Sequence, residues 1–221
     1  MTPPFLHRAD SNKKLLFACY HFYLDPSNGA SITAREMLLA LAKRGWEVTT
    51  FCGCGLDFQK PEAVRQFLAD RRIPIVRQFD NTAREQGNPQ PALPFSLAFF
   101  HDGLLKSSVF LPVENLHIPS QEAGTVFLDL LREQILQTKP HILVTYGGYW
   151  LSGHLLQISR DAGLKNVMLL QNLEYKDASY FKDFDLILVP SQFASDHYNE
   201  KLSLKTTPIA PMMDWNGLPR S

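Results

Sequence analysis

The sequence predicts an α/β protein: a doubly wound, mostly parallel sheet of about seven strands with helices on both faces. Three observations predict it. Short apolar runs alternate along the chain with longer segments of helical period. Most runs are continuously apolar, as strands covered on both faces are. The 221 residues are 45% hydrophobic and 20% charged, enough to bury a substantial core without disulfides.

In chain order, Lys14–Tyr20 (KLLFACY) reads as a buried strand. Ala30–Arg44 then sets Ala34, Met37, Leu38 and Leu41 on one face of an amphipathic helix, which Gly45 stops. Lys43 and Arg44 fall in its last turn, where cations suit the negative end of the helix dipole. Trp46–Cys52 is the second strand, Pro61 opens a helix to about Ala69, and Ile73–Phe79 is the third strand. This β-α-β-α-β order implies parallel neighbours joined by right-handed crossovers. Asp80–Pro94 is rich in Asn, Gln, Gly and Pro and reads as a loop; Phe95–Phe100 and Leu104–Leu111 flank His101-Asp102-Gly103, a hairpin signal. The theme then repeats: helix Gln121–Thr138, strand His141–Thr145, helix Trp150–Ala162, strand Asn166–Leu170, strand Asp185–Val189, helix Gln192–Leu202 and a short strand Thr207–Ala210. The expected organisation is an extended or disordered N-terminus over 1–13, one domain over 14–214 with an inserted hairpin near 95–111, and the start of a hinge or tail over 215–221.

Composition excludes several classes. Lys plus Arg and Asp plus Glu each number 22, so the net charge is zero and a nucleic-acid coat is not expected. The three cysteines, Cys19, Cys52 and Cys54, form neither a disulfide framework nor a Cys-x-x-Cys zinc half-site. The N-terminus has no apolar signal core, and no stretch approaches the ~20 apolar residues of a membrane helix, so a cytoplasmic protein without a transmembrane segment is expected. No Gly-x-Gly-x-x-Gly, P-loop, Gly-x-Ser-x-Gly or His-Glu-x-x-His occurs among these residues, which leaves no cofactor, metal or catalytic residue assigned.

Ligands of a doubly wound sheet bind beyond the carboxyl ends of its strands. Asn28-Gly29-Ala30-Ser31 puts small residues at the first helix start, where backbone N–H groups and the dipole favour an anion; a glycine turn with an N-cap is the structural alternative. Tyr146-Gly147-Gly148-Tyr149 lets a ligand approach backbone with aromatics beside it, or forms a tight turn capped by core aromatics. Gln171, Asn172 and Glu174 follow a buried strand and suit hydroxyl recognition, although Asn172 also suits a turn. His21 ends the first strand and faces the same region, and Ser191 reads as an N-cap.

Several stretches together resemble the N-terminal half of GT-B glycosyltransferases of the family 4, or group 1, type. They are the Asn28–Ser31 loop, Leu41-Ala42-Lys43-Arg44-Gly45-Trp46-Glu47-Val48-Thr49 with Trp46 where a histidine is usual, and Lys139–Val144. To these add Asp185–Phe193, and Pro208-Ile209-Ala210-Pro211-Met212-Met213-Asp214, which lacks the family's glycine. The resemblance implies a Rossmann-like acceptor-side domain whose nucleotide-sugar donor sits mainly on a C-terminal domain missing here. It implies that the backbone around Gly29 meets the donor diphosphate, and that His21, Tyr146, Gly147, Gly148, Tyr149, Gln171, Asn172 and Glu174 lie toward a sugar, lipid-linked or protein acceptor. Gln171 falls near a histidine of many relatives, and no metal is implied. On this reading the chain is incomplete for hexosyl transfer by itself. The other reading is a stand-alone Rossmann-like module binding a small anionic ligand or a protein.

Overall fold

The computed structural model describes residues 13–56, 62–73, 77–80, 95–112, 118–147 and 150–210. The expected N-terminal arm over 1–12, most of the 80–94 loop, Pro61, Gly148, Tyr149 and the tail beyond Ala210 lie outside them. The described strands are β1 (Lys14–His21), β2 (Glu47–Gly55), β3 (Arg77–Asp80), β4 (Phe95–Asp102), β5 (Leu105–Pro112), β6 (Ile142–Tyr146), β7 (Lys165–Leu169), β8 (Leu186–Val189) and β9 (Thr207–Pro208). The helices are α1 (Gly29–Lys43), α2 (Glu62–Asp70), α3 (Gln121–Thr138), α4 (Trp150–Asp161) and α5 (Gln192–Leu202).

All nine strands join one sheet in the order β3-β4-β5-β2-β1-β6-β7-β8-β9. Pairing is parallel from β5 through β2, β1, β6, β7 and β8 to β9, and antiparallel in β3-β4 and β4-β5. The doubly wound, mostly parallel class is therefore as the sequence predicts. Two details differ. The strand beside β2 is β5, and the third strand in sequence lies at the sheet edge, antiparallel to β4. The physical reason is composition: β5 carries the buried run Val109-Phe110-Leu111, which an interior position covers, whereas Arg77-Gln78-Phe79-Asp80 is short and polar, as edge strands are. Gly103, with φ of 59°, supplies the positive φ of the turn that joins β4 to β5.

Burial explains the layering. β1 alternates between two cores: Leu15, Phe17 and Cys19 pack with Ala34, Met37 and Leu38 of α1 and Val64 and Leu68 of α2. Leu16, Ala18 and Tyr20 pack on the opposite face with Phe127 and Leu131 of α3 and Leu151 and Leu155 of α4. A third cluster joins Met168, Leu170, Ile187 and Val189 to Ala194 and Tyr198 of α5. Among the described residues no helix is long and apolar enough to cross a membrane.

Candidate functional site

β1 and β6 are neighbours, yet their connections diverge. From β1 the chain runs through α1 to β2 over one face; from β6 it runs through α4 to β7 over the other. In open α/β sheets such a divergence marks the carboxyl ends of the two central strands as the place where ligands bind. Because β1, β6 and β7 are mutually parallel, the Gly29 and Gln171 loops both emerge at this end.

The first element there is the N-terminus of α1. Asn28 caps it: its side-chain oxygen accepts from Ala30 N at 2.7 Å and Ser31 N at 3.1 Å. The amide donors of Ala30 and Ser31 are thus engaged within the chain. Gly29 is exposed, and a Cβ built there would meet nothing within 4 Å, so its backbone has an open approach. Ser31 points inward and is fully buried. Its hydroxyl donates to the Phe22 carbonyl at 3.3 Å, which leaves it to accept from the Tyr146 hydroxyl at 2.8 Å.

Tyr146 ends β6 and is buried, with its ring 5.7 Å from Phe17 and 5.9 Å from His21. Burial raises its phenol well above the ordinary tyrosine range, and the neighbouring Cys19 adds to the rise. His21 is almost fully buried, and its carbonyl accepts the Cys19 thiol proton at 3.0 Å. Desolvation also raises Cys19, and pushes Cys52 up to about 12, so these thiols are packing groups. Gly147 holds a left-handed φ of 116°, the conformation that favours glycine.

The second element is the loop after β7. Gln171 is half-buried and meets Thr33 and Met37 of α1, Leu169, Pro190, Ile209 and Ala210 around a crevice of about 10 Å³, room for a single water at most. Asn172 and Glu174 are exposed. The Asn172 carbonyl accepts the Tyr198 hydroxyl of α5, which ties this loop to the third core. Ser191 caps α5 through Ala194 N at 3.1 Å. The described geometry therefore unites Ser31, Tyr146 and His21 in one packed group and sets Gln171 against α1, while Glu174 stands outside that group.

Sequence reasoning missed Asp25. It is buried in the β1–α1 loop and accepts from the Ser27 amide at 2.9 Å and the Ser27 hydroxyl at 2.6 Å, fixing the turn that leads into Asn28. The Asp-Pro-Ser order was its signal, because Asp folds back on the backbone two residues on. No group of three His, Cys, Asp or Glu gathers as a metal site among the described residues. The larger concavity, about 370 Å³, lies at the opposite end of the sheet between α3 and the starts of β1 and β2. Its Lys14 and Lys106 both hold Glu47, at 3.6 and 3.0 Å, and the Lys106 contact lowers the Glu47 carboxyl.

No family model and no curated protein matches the sequence. Solved structures similar to the chain include MurG of Acinetobacter baumannii, with 12% identity and a TM-score of 0.49 over 95% of this chain and 50% of that one. UDP-GlcNAc 2-epimerase of Methanocaldococcus jannaschii matches with 12% identity and a TM-score of 0.44, over 89% of this chain and 45% of its own. A trehalose-6-phosphate protein of E. coli bound with UDP-2-fluoro glucose matches with 13% identity and a TM-score of 0.45, over 90% and 49%. This chain spans about half the length of each of these structures.

Proposed function

We propose that this chain is the acceptor-side half of a nucleotide-sugar-dependent glycosyltransferase acting in the cytoplasm. One observation supports the reading: parallel pairing brings the exposed backbone at Gly29 and the amide-bearing loop at Gln171 to the same carboxyl end of the sheet, at its switch point. Gly29 meets the donor diphosphate at the positive end of α1, and Gln171, Asn172 and Glu174 meet the hydroxyls of the acceptor. Gly147 joins the acceptor side, with His21 packed beneath it. The side chains that neutralise the leaving phosphates belong to a second domain, since this half offers few cations there; without them transfer lacks its main electrostatic contribution.

The test is a titration of this chain with a panel of nucleotide-sugars, followed by backbone amide shifts. The expected response is weak and centred on Gly29, Ala30 and the Gln171 loop. Shifts confined to the Lys14–Lys106 end of the sheet, or saturation by micromolar nucleotide-sugar, would overturn the assignment. The other reading, a stand-alone anion-binding module, gains nothing from the cap that Asn28 already places on Ala30 and Ser31. It predicts an equal response to simple anions and to nucleotide-sugars.

A further inference from the structure

Tyr146 lies where a phenylalanine would pack equally well, between Phe17 and His21. A buried hydroxyl costs stability unless it is paired, so its presence calls for partners, and it has Ser31 and the neighbouring Cys19 thiol. Ser31 is fully buried in the first turn of α1. Its single proton goes to the Phe22 carbonyl, so the order of donation runs from Tyr146 to Ser31 to Phe22. Two hydrogen bonds thereby join three segments at the switch point: the end of β6, the start of α1 and the residue after β1. Asn28 holds the Ala30 and Ser31 amides from the exposed side of the same turn.

The geometry points to Tyr146 as a positioning residue that, through Ser31, sets the Gly29–Ser31 backbone at the carboxyl end of the sheet. This rests on the reading that Gly29 meets the anionic part of the ligand. The phenol does not itself touch that ligand; it acts by keeping the first turn of α1 in one orientation, so that a diphosphate meets the exposed Gly29 backbone already in place. Tyr146 thus moves from an acceptor contact to a support of the diphosphate loop.

The test is Tyr146→Phe in the 221-residue chain, read in two ways. Amide hydrogen exchange at Ala30 and Ser31 is expected to quicken roughly fivefold, the equivalent of one lost neutral hydrogen bond, with the later turns of α1 unchanged. Inorganic pyrophosphate, followed by the Gly29 amide shift, is expected to bind several-fold more weakly. Ser31→Ala carries the same expectations if the first variant does not fold. Unchanged exchange in a folded variant overturns the inference, as does faster exchange with unchanged pyrophosphate affinity. Faster exchange in a protein whose Gly29 amide never responds to pyrophosphate upholds the positioning of the turn and sinks the diphosphate reading instead.

Discussion

At Gly29 the requirements of fold and ligand separate cleanly. Neither its φ nor its surroundings demand glycine, since a Cβ there meets open space. Gly29→Ala is therefore expected to keep or raise stability, by up to about 1 kcal/mol, because alanine favours the helix. If a diphosphate approaches that backbone, the same methyl group obstructs it. Pyrophosphate-induced shifts of neighbouring amides should then fall away while the melting temperature does not; unaltered shifts would mean that nothing binds against Gly29. Gly53 is the opposite case. The β1–β2 register passes from Cys19↔Cys52 to His21↔Gly55, so β2 bulges, and a Cβ on Gly53 would run into the Tyr20 carbonyl and ring. Gly53→Ala is expected to cost about 1–3 kcal/mol in denaturant midpoint, the usual result of forcing atoms into a packed site. A loss below about 0.5 kcal/mol would show that the bulge relaxes freely. The sequence reveals glycines but not which kind each is, because that depends on what a distant strand or a ligand brings close.

Among the elements, β7 and β8 are tied at their starts by Asp185. Its carboxylate accepts the Asn166 amide at 2.8 Å and pairs with Lys165 at 3.4 Å, and the amide contact above all holds its pKa below the ordinary aspartate range. A carboxyl depressed in the folded state stabilises above its unfolded pKa, about 3.9, and loses that contribution as pH falls through the folded value. The side chain is 42% exposed, so solvent screening keeps the effect small. Asp185→Asn is expected to lower the urea midpoint at pH 7, with the gap from the native chain narrowing once pH falls below the unfolded pKa of about 3.9. A gap constant from pH 7 to 3 would refute the carboxylate's part. The placement of β1, α1, α3 and β6 was legible because apolar runs and helical period are local signals. The site of β3 was not, because two strands competed for the place beside β2, and the outcome turned on how much apolar surface each could bury there. The crossing bond from Ser31 to Tyr146 spans 115 residues, and no local pattern encodes it.

For the whole molecule, parallel winding decides function more than any single motif does. It sends every loop that follows β1, β6, β7 and β8 to one end, so a sequence that fixes strand direction also fixes which loops can share a ligand. Charge at that end then limits what the chain does alone. The described residues of these loops carry Asp25, Glu174, Asp177, Asp183 and Asp185 against Lys176 and Lys182, while Arg35 of α1 is paired with Asp102 at 2.7 and 2.8 Å. On the proposed reading, a nucleotide-sugar diphosphate would bring further negative charge, leaving the dipole of α1 and the backbone near Gly29 to hold it almost unaided. A ligand that binds the folded state stabilises by RT ln(1 + [L]/Kd), and for a chain of this size each kcal/mol moves the melting temperature by about 2–4 °C. If Kd lies near 1 mM, a nucleotide-sugar at that concentration contributes about 0.4 kcal/mol, and Tm rises by about 1–2 °C at most. Adding salt should shrink even this rise, since it screens the dipole's attraction for phosphate. A rise of 6 °C or more at 1 mM would require binding roughly ten- to a hundredfold tighter, and the proposed division, with the donor held mainly by a second domain, would then fail.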